Sequence, residues 1–275
     1  MPEIETGNFA IPRWILCPPD FIRVVNWNID RGTHLSRVIE FLAGANADLV
    51  LLQETDLNAR RTHRMNVARE IAHKLKLNYV FGREFQELSQ GTRSSPAYHG
   101  QATLSRWPLS KPRIIRFQKQ SNFWNPHWFL PQIAPFQERI GGRLALVTDA
   151  CIAGKEIVTY NLHLESKGDD DLRCSQLNEV FRDSRRYAPN IPILVAGDFN
   201  CDVSRGPAAN AITHAQFQNA FANQHVSTTT HSFLEQGRAI DWILVRGAVD
   251  LRSSQVYRSV YGSDHYPLSI RLTFT

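Results

Sequence analysis

Cysteine is scarce in this chain and poorly placed for chemistry. The four thiols, at Cys17, Cys151, Cys174 and Cys201, form no CxxC pair. None stands near a histidine at the separation a zinc site requires. No apolar run approaches the roughly 20 residues needed to cross a bilayer. The first twenty residues carry Glu3, Glu5, Pro2, Pro12 and a Pro18-Pro19 pair. They lack the basic and apolar regions of a secretory signal. These absences lead to the expectation of a cytoplasmic protein with free thiols and no stable membrane association. No repeat, charged tail or low-complexity linker divides the chain. The expectation is therefore one domain over residues 1–275, with 1–20 as an extended lead-in.

Apolar material, by contrast, is ample. The composition is 43% hydrophobic and 21% charged, enough for a substantial core. Net charge is +5 and the pI about 9.2, a mild pointer to a polyanionic partner. Residues 21–27 are β-rich, between prolines and Gly32, and 48–53 form a continuous apolar run of the kind found in strands buried on both faces. Helical spacing marks 33–44, where Thr33 can cap, and 65–75, 170–185 and 207–221. Further strands are expected at 101–105, 113–117, 143–148, 156–162, 191–196, 239–245 and 268–274. Strand-rich halves with few helices predict two sheets packed face to face with helices outside.

Polar residues cluster at the ends of these strands. Asn28 and Asp30 follow the first, Gln53 and Glu54 the second, and His163 ends a third. Asp198 and Asn200 follow residues 191–196, Asp241 sits in an apolar strand, and Asp264-His265 precedes the last strand. Alone, Asp198 would be read as a turn former and His163 as a hydrogen-bonded core residue. Asp241 is harder to dismiss, because a carboxylate inside an apolar strand needs a partner. Together the set suits phosphate ester hydrolysis. Carboxylate oxygens from Glu54 and Asp264 suit Mg²⁺ or Mn²⁺, histidines supply proton transfers near neutrality, and Asp241 is assigned to support His265.

The pattern resembles the endonuclease/exonuclease/phosphatase superfamily. The matching segments are Trp27-Asn28-Ile29-Asp30, Leu52-Gln53-Glu54-Thr55, Gly100-Gln101-Ala102-Thr103-Leu104-Ser105, Asn161-Leu162-His163, Gly197-Asp198-Phe199-Asn200, Ile240-Asp241-Trp242 and Ser263-Asp264-His265. Each is weak by itself; seven in the family's order across residues 22 to 270 are specific. The resemblance implies a four-layer α/β/β/α sandwich of two mixed β-sheets, the DNase I-like fold. It implies that Glu54 is the principal metal ligand, supported by Asn28 and Asp264, and that Asp198 and Asn200 orient water and phosphate. His265 with Asp241 resembles the essential histidine that acts as base or stabilises the phosphorane, and His163 the second histidine, which contacts phosphate or assists the leaving group. Asp30 matches a position used by some members only.

Substrate must be read from the rest of the chain. His163-Leu164-Glu165-Ser166 resembles the tyrosyl-DNA phosphodiesterase branch, which makes Ser166 a phosphate contact. Trp124 and Trp128 lie in an aromatic stretch, 123–136, suited either to stacking on bases or to sealing the core. The leading expectation is a nuclease or DNA-end-processing phosphodiesterase, monomeric, acting on DNA in preference to RNA by direct water attack. The alternative is a lipid or small-molecule phosphoesterase of the sphingomyelinase or inositol-phosphatase kind.

Overall fold

The structure is a computed structural model that describes residues 3–11, 19–124, 129, 131, 133–231 and 237–275. In chain order these form β1 (Ile4–Asn8), β2 (Ile22–Arg31), α1 (Leu35–Ala45), β3 (Leu49–Leu57), α2 (Val67–Leu75), β4 (Asn78–Glu87), β5 (Ala97–Ser105), β6 (Leu109–Arg116) and β7 (Arg139–Gly141). There follow β8 (Leu144–Ile152), β9 (Lys155–His163), α3 (Asp170–Ser184), β10 (Ile193–Asp198), α4 (Gly206–His214), β11 (Gln218–Asn219), β12 (Asp241–Arg246), β13 (Val249–Val256) and β14 (Leu268–Phe274).

The strands form two sheets. One runs β1-β4-β5-β3-β2-β14-β13, with β7 sharing the outer edge of β4, and the other runs β11-β12-β10-β9-β8-β6. Each is mixed: β2 and β3 pair in parallel, as do β9 and β10, within otherwise antiparallel ladders. Strand periodicity explains the layering, because successive side chains point to opposite faces. In β2, Val24 packs between the sheets and Val25 faces the helices; in β3, Leu49 and Leu51 point inward, Val50 and Leu52 outward. The outward set meets Val38 and Leu42 of α1 and Ala68, Ile71 and Ala72 of α2. Leu177, Val180 and Phe181 of α3, with Ile212 of α4, pack with the residues of the other sheet. The result is the expected α/β/β/α sandwich.

A polar stitch crosses the apolar interior. Gln53 Nε2 donates to Asn26 Oδ1 at 2.9 Å within its own sheet and to Asn161 Oδ1 at 2.7 Å in the other. Asn161 Nδ2 lies 3.0 Å from Leu52 O and 2.9 Å from Ala102 O. Buried amides with good partners fix one relative placement of the sheets, since any slip leaves them unpaired.

Several local expectations are corrected. The N-terminal stretch is more than a lead-in, because β1 pairs antiparallel with β4. Thr33 does not cap α1; its hydroxyl donates to Asp30 O at 3.1 Å and the helix starts at Leu35. The helix expected over 207–221 stops at His214, where Gln216 takes a left-handed φ of 60° and β11 follows. No helix among the described residues is long and apolar enough to cross a membrane. Cys151, Cys174 and Cys201 are free, and Cys17 lies outside the described residues.

Candidate active site

The strand ends named in the sequence meet at one rim of the sandwich. Asn28 lies near the end of β2, Glu54 in β3, His163 and Asp198 at the ends of β9 and β10, Asp241 at the start of β12, and His265 just before β14. Parallel pairing sets Asp198 beside His163, and antiparallel pairing sets it opposite Asp241. Gly197 permits this approach: its φ is +155°, and a Cβ there would sit 1.8 Å from Leu162 O.

Backbone irregularity aims the ligands. Relative to their partners, β2 and β3 each carry one extra residue, between Asn28 and Arg31 and between Leu52 and Thr55. Such bulges re-aim side chains near active sites. Asp30, Glu54 and Asn200 take positive φ of 42°, 53° and 52°, strain of the kind that persists where function requires it.

Asp198 is the hub. Its Oδ1 accepts Asn200 N–H at 2.9 Å and its Oδ2 accepts Asn28 Nδ2 at 3.2 Å. The same Oδ2 lies 3.5 Å from His163 Nε2 and 3.9 Å from His265 Nε2. Burial, and then the neighbouring Asp241 carboxylate, push its pKa up to about 7. His265 Nδ1 stands 2.8 Å from Asp241 Oδ2. Burial opposes its charge, but the Asp241 contact outweighs that and raises His265 to about 10, so it is an imidazolium at neutrality. Thr229 orients the pair by donating to Asp241 Oδ2 at 2.7 Å while accepting the N–H of Asp241 at 3.0 Å. Trp27 Nε1 fixes the backbone of His265 through its carbonyl at 2.8 Å.

His163 differs. Its Nδ1 lies 2.9 Å from Arg143 Nη1. A guanidinium can only donate, so Nδ1 holds the lone pair and Nε2 carries the proton toward Asp198. Burial and the Arg143 charge hold His163 well below its ordinary pKa, neutral at pH 7. Arg143 also binds Glu84 Oε1 at 2.9 Å and donates to Ser166 Oγ at 3.1 Å.

Glu54 can hold a divalent cation. Its Oε1 takes Asn28 Nδ2 at 3.3 Å, and its side chain keeps 20% exposure toward solvent. Burial works against its charge, but its cationic neighbours, Arg31 and the His265 imidazolium among them, prevail and hold it below the usual carboxylate range. A hard, ionised oxygen donor with a solvent-facing side suits an ion that retains waters. Asp264 is exposed, with Ser263 Oγ donating to its Oδ1 at 3.2 Å. Asp198, Asp241 and His265 also offer donor atoms within 4.8 Å of one another, close enough to hold an ion. In that group, however, the close Asp241–His265 contact fits an acid–base pair better than two free ligands.

One expectation about substrate contacts changes. Trp124 is buried, donates Nε1–H to Glu165 Oε2 at 2.8 Å and lies under the Arg143 guanidinium. It seals the rim from within and leaves no open face for a base. Trp128 lies outside the described residues. Ser166 is exposed beside Arg143, where a phosphate could reach it. Asn200 donates Nδ2–H to Leu164 O at 3.0 Å, which holds its amide at the rim. Sequence reasoning missed Arg143, Glu84, Thr229 and His99. For His99 a signal existed, its position directly before the Gly100-Gln101 segment; the others are read only from their partners in space.

A sequence profile of the endonuclease/exonuclease/phosphatase family matches residues 25–265. A search of curated protein sequences returns no match. Among solved structures, an endonuclease/exonuclease/phosphatase from Bacteroides vulgatus is similar, at 18% identity and TM-score 0.68, over 93% of this chain and 99% of that one. TDP2 from C. elegans is similar at 19% identity and TM-score 0.61, over 93% and 75%. A mannosyl-6-phosphatase from Bacteroides thetaiotaomicron is similar at 16% identity and TM-score 0.63, over 92% and 100%. A family match over nearly the whole chain, on a sandwich whose rim gathers acidic, amide and imidazole groups, places this chain in the endonuclease/exonuclease/phosphatase family of phosphoester hydrolases.

Proposed function

We propose that the chain is a divalent-metal-dependent phosphodiesterase, a nuclease or DNA-end-processing enzyme that hydrolyses by direct attack of water. The observation that carries this reading is the convergence on Asp198 Oδ2 of Asn28, a neutral His163 and a charged His265. In its ionised form Asp198 orients water and takes its proton. The His163 Nε2–H donates to a phosphate oxygen, and the imidazolium of His265, backed by Asp241, balances the charge that builds on the phosphorus-bound oxygens. Mg²⁺ or Mn²⁺ held by Glu54, with Asn28 and Asp264 alongside, would polarise the phosphoryl group. Asn200 and Ser166 would steady the remaining oxygens.

Substrate choice rests on other features. The His163-Leu164-Glu165-Ser166 segment, the net charge of +5 and the likeness to TDP2 favour nucleic acid, DNA before RNA. We place the enzyme in the cytoplasm as a monomer. The likeness to a mannosyl-6-phosphatase, and the withdrawal of Trp124 into the core, favour a second reading, a small phosphate ester.

A parallel panel at one Mg²⁺ concentration separates them. It comprises plasmid DNA, single- and double-stranded oligonucleotides, a 5′-phosphotyrosyl oligonucleotide, RNA, sphingomyelin, inositol polyphosphates and a sugar phosphate. Cleavage of the nucleic acids that EDTA abolishes is expected. Turnover confined to the lipid, inositol phosphates or sugar phosphate would overturn the substrate assignment.

A further inference from the structure

The bulge that aims Glu54 also brings it to a histidine that the proposed reaction does not use. His99 lies in β5, opposite Asp56 of β3. It is buried, with its ring stacked on Phe85 at 4.6 Å between centroids. Its Nδ1 stands 3.1 Å from Asp56 Oδ1, and its Nε2 faces Glu54 Oε2 at 4.0 Å. Asp56 accepts both Arg61 Nε and Arg61 Nη2 at 2.7 Å, as an ionised carboxylate does. A carboxylate only accepts, so the Nδ1 proton belongs to His99. In the neutral imidazole the Nε2 lone pair then points toward Glu54.

An imidazole that gives one N–H to a carboxylate while its other nitrogen faces an ion-binding oxygen has the arrangement found around metal-bound histidines. Metal–nitrogen and metal–oxygen bonds of about 2.0–2.2 Å let two donors up to about 4.4 Å apart share one ion. The 4.0 Å separation falls inside that reach. The competing positive charge is Arg31, whose Nη1 lies 3.8 Å from Glu54 Oε2. It is about one-third exposed and already paired with Asp30, so it can move aside.

We infer that His99, through Nε2, is a nitrogen ligand of the cation held by Glu54, and that the site accordingly favours transition ions such as Mn²⁺ over Mg²⁺. The inference rests on the proposed metal dependence. Nitrogen donors bind transition ions in preference to the harder Mg²⁺. Asp56 and its bidentate Arg61 become the groups that set the tautomer and hold the ring.

The test uses the full chain stripped of metal and loaded with Mn²⁺. Binding is followed by the loss of the free Mn²⁺ signal in EPR, and ligation by ¹⁴N coupling in pulsed EPR. Wild type is expected to show imidazole coupling. In His99→Gln that coupling should vanish, and Mn²⁺ affinity should fall about 10–100-fold, while Mg²⁺ affinity, measured by competition, changes less than about threefold. That unequal loss is something a merely structural histidine would not produce. Should His99→Gln fail to fold, Asp56→Asn alters the hydrogen bond on the other ring nitrogen and should shift the coupling with the imidazole in place. Glu54-dependent Mn²⁺ binding without ¹⁴N coupling, or with coupling that survives His99→Gln, overturns the inference alone. Binding indifferent to Glu54→Gln overturns the inference and the metal reading beneath it.

Discussion

Asp198 takes its properties from its neighbours: Asn200 N–H holds one oxygen, and Asn28 and the two histidines face the other. Because burial and Asp241 raise its pKa to about 7, the ionised form that takes the proton from water is the minority below neutrality. Activity should therefore rise with pH through about 7, a limb that kcat/KM profiles will reveal. Glu54 adds no limb there, since its carboxyl is held below the usual range and is already ionised. Arg143→Lys replaces a fork that serves Glu84, His163 and Ser166 together with a single ammonium. With the His163 tautomer no longer set, kcat should fall by about 10²–10³, the range for losing one donor to an oxygen on which charge develops. A steady-state assay of this variant returning wild-type kcat would refute the tautomer argument. At this scale the sequence showed the rim groups, because each stands at a strand end within a short motif. It hid Arg143 and Thr229, whose meaning lies in partners distant along the chain: Glu84 is 59 residues from Arg143, and Asp241 is 12 from Thr229.

Elements hold these residues through a few exacting contacts. Gly197 in β10 is one, with no room for a Cβ against Leu162 O. Gly197→Ala should destabilise the protein by about 3 kcal/mol through overpacking, a Tm drop of roughly 6–12 °C in calorimetry. Trp124 tests the aromatic stretch. If its indole N–H serves Glu165, Trp124→Phe should lower stability by about 1–3 kcal/mol and leave KM within about twofold. A large KM increase at unchanged Tm would restore the base-stacking role. The strands that escaped sequence reading did so for physical reasons. β4 is almost wholly buried yet carries Gly82, Arg83 and Glu84, which interrupt any apolar run. β13 is an edge strand with Asp250, Arg252, Ser253 and Ser254, so it shows little hydrophobic alternation. Strands with clean apolar runs, such as β3 and β10, were visible from the start.

For the whole molecule, two sheets bring six short segments, from Trp27-Asn28-Ile29-Asp30 to Ser263-Asp264-His265, to one rim, while residues 100–105 run away from it along β5, and the buried Asn26–Gln53–Asn161 stitch fixes how the sheets meet. That joint arrangement, more than any single residue, argues for hydrolysis of phosphate esters. The central claim is metal-dependent phosphodiester cleavage with Asp198 as the water-orienting carboxylate. It is tested most directly by single-turnover cleavage of a fluorescent oligonucleotide at saturating Mg²⁺, for wild type with and without EDTA and for Asp198→Asn. The account predicts cleavage by wild type alone, with EDTA abolishing it and the variant slower by several orders of magnitude, on the order of losses seen for other catalytic groups. Cleavage that persists in EDTA, or an Asp198→Asn rate equal to wild type, would contradict it.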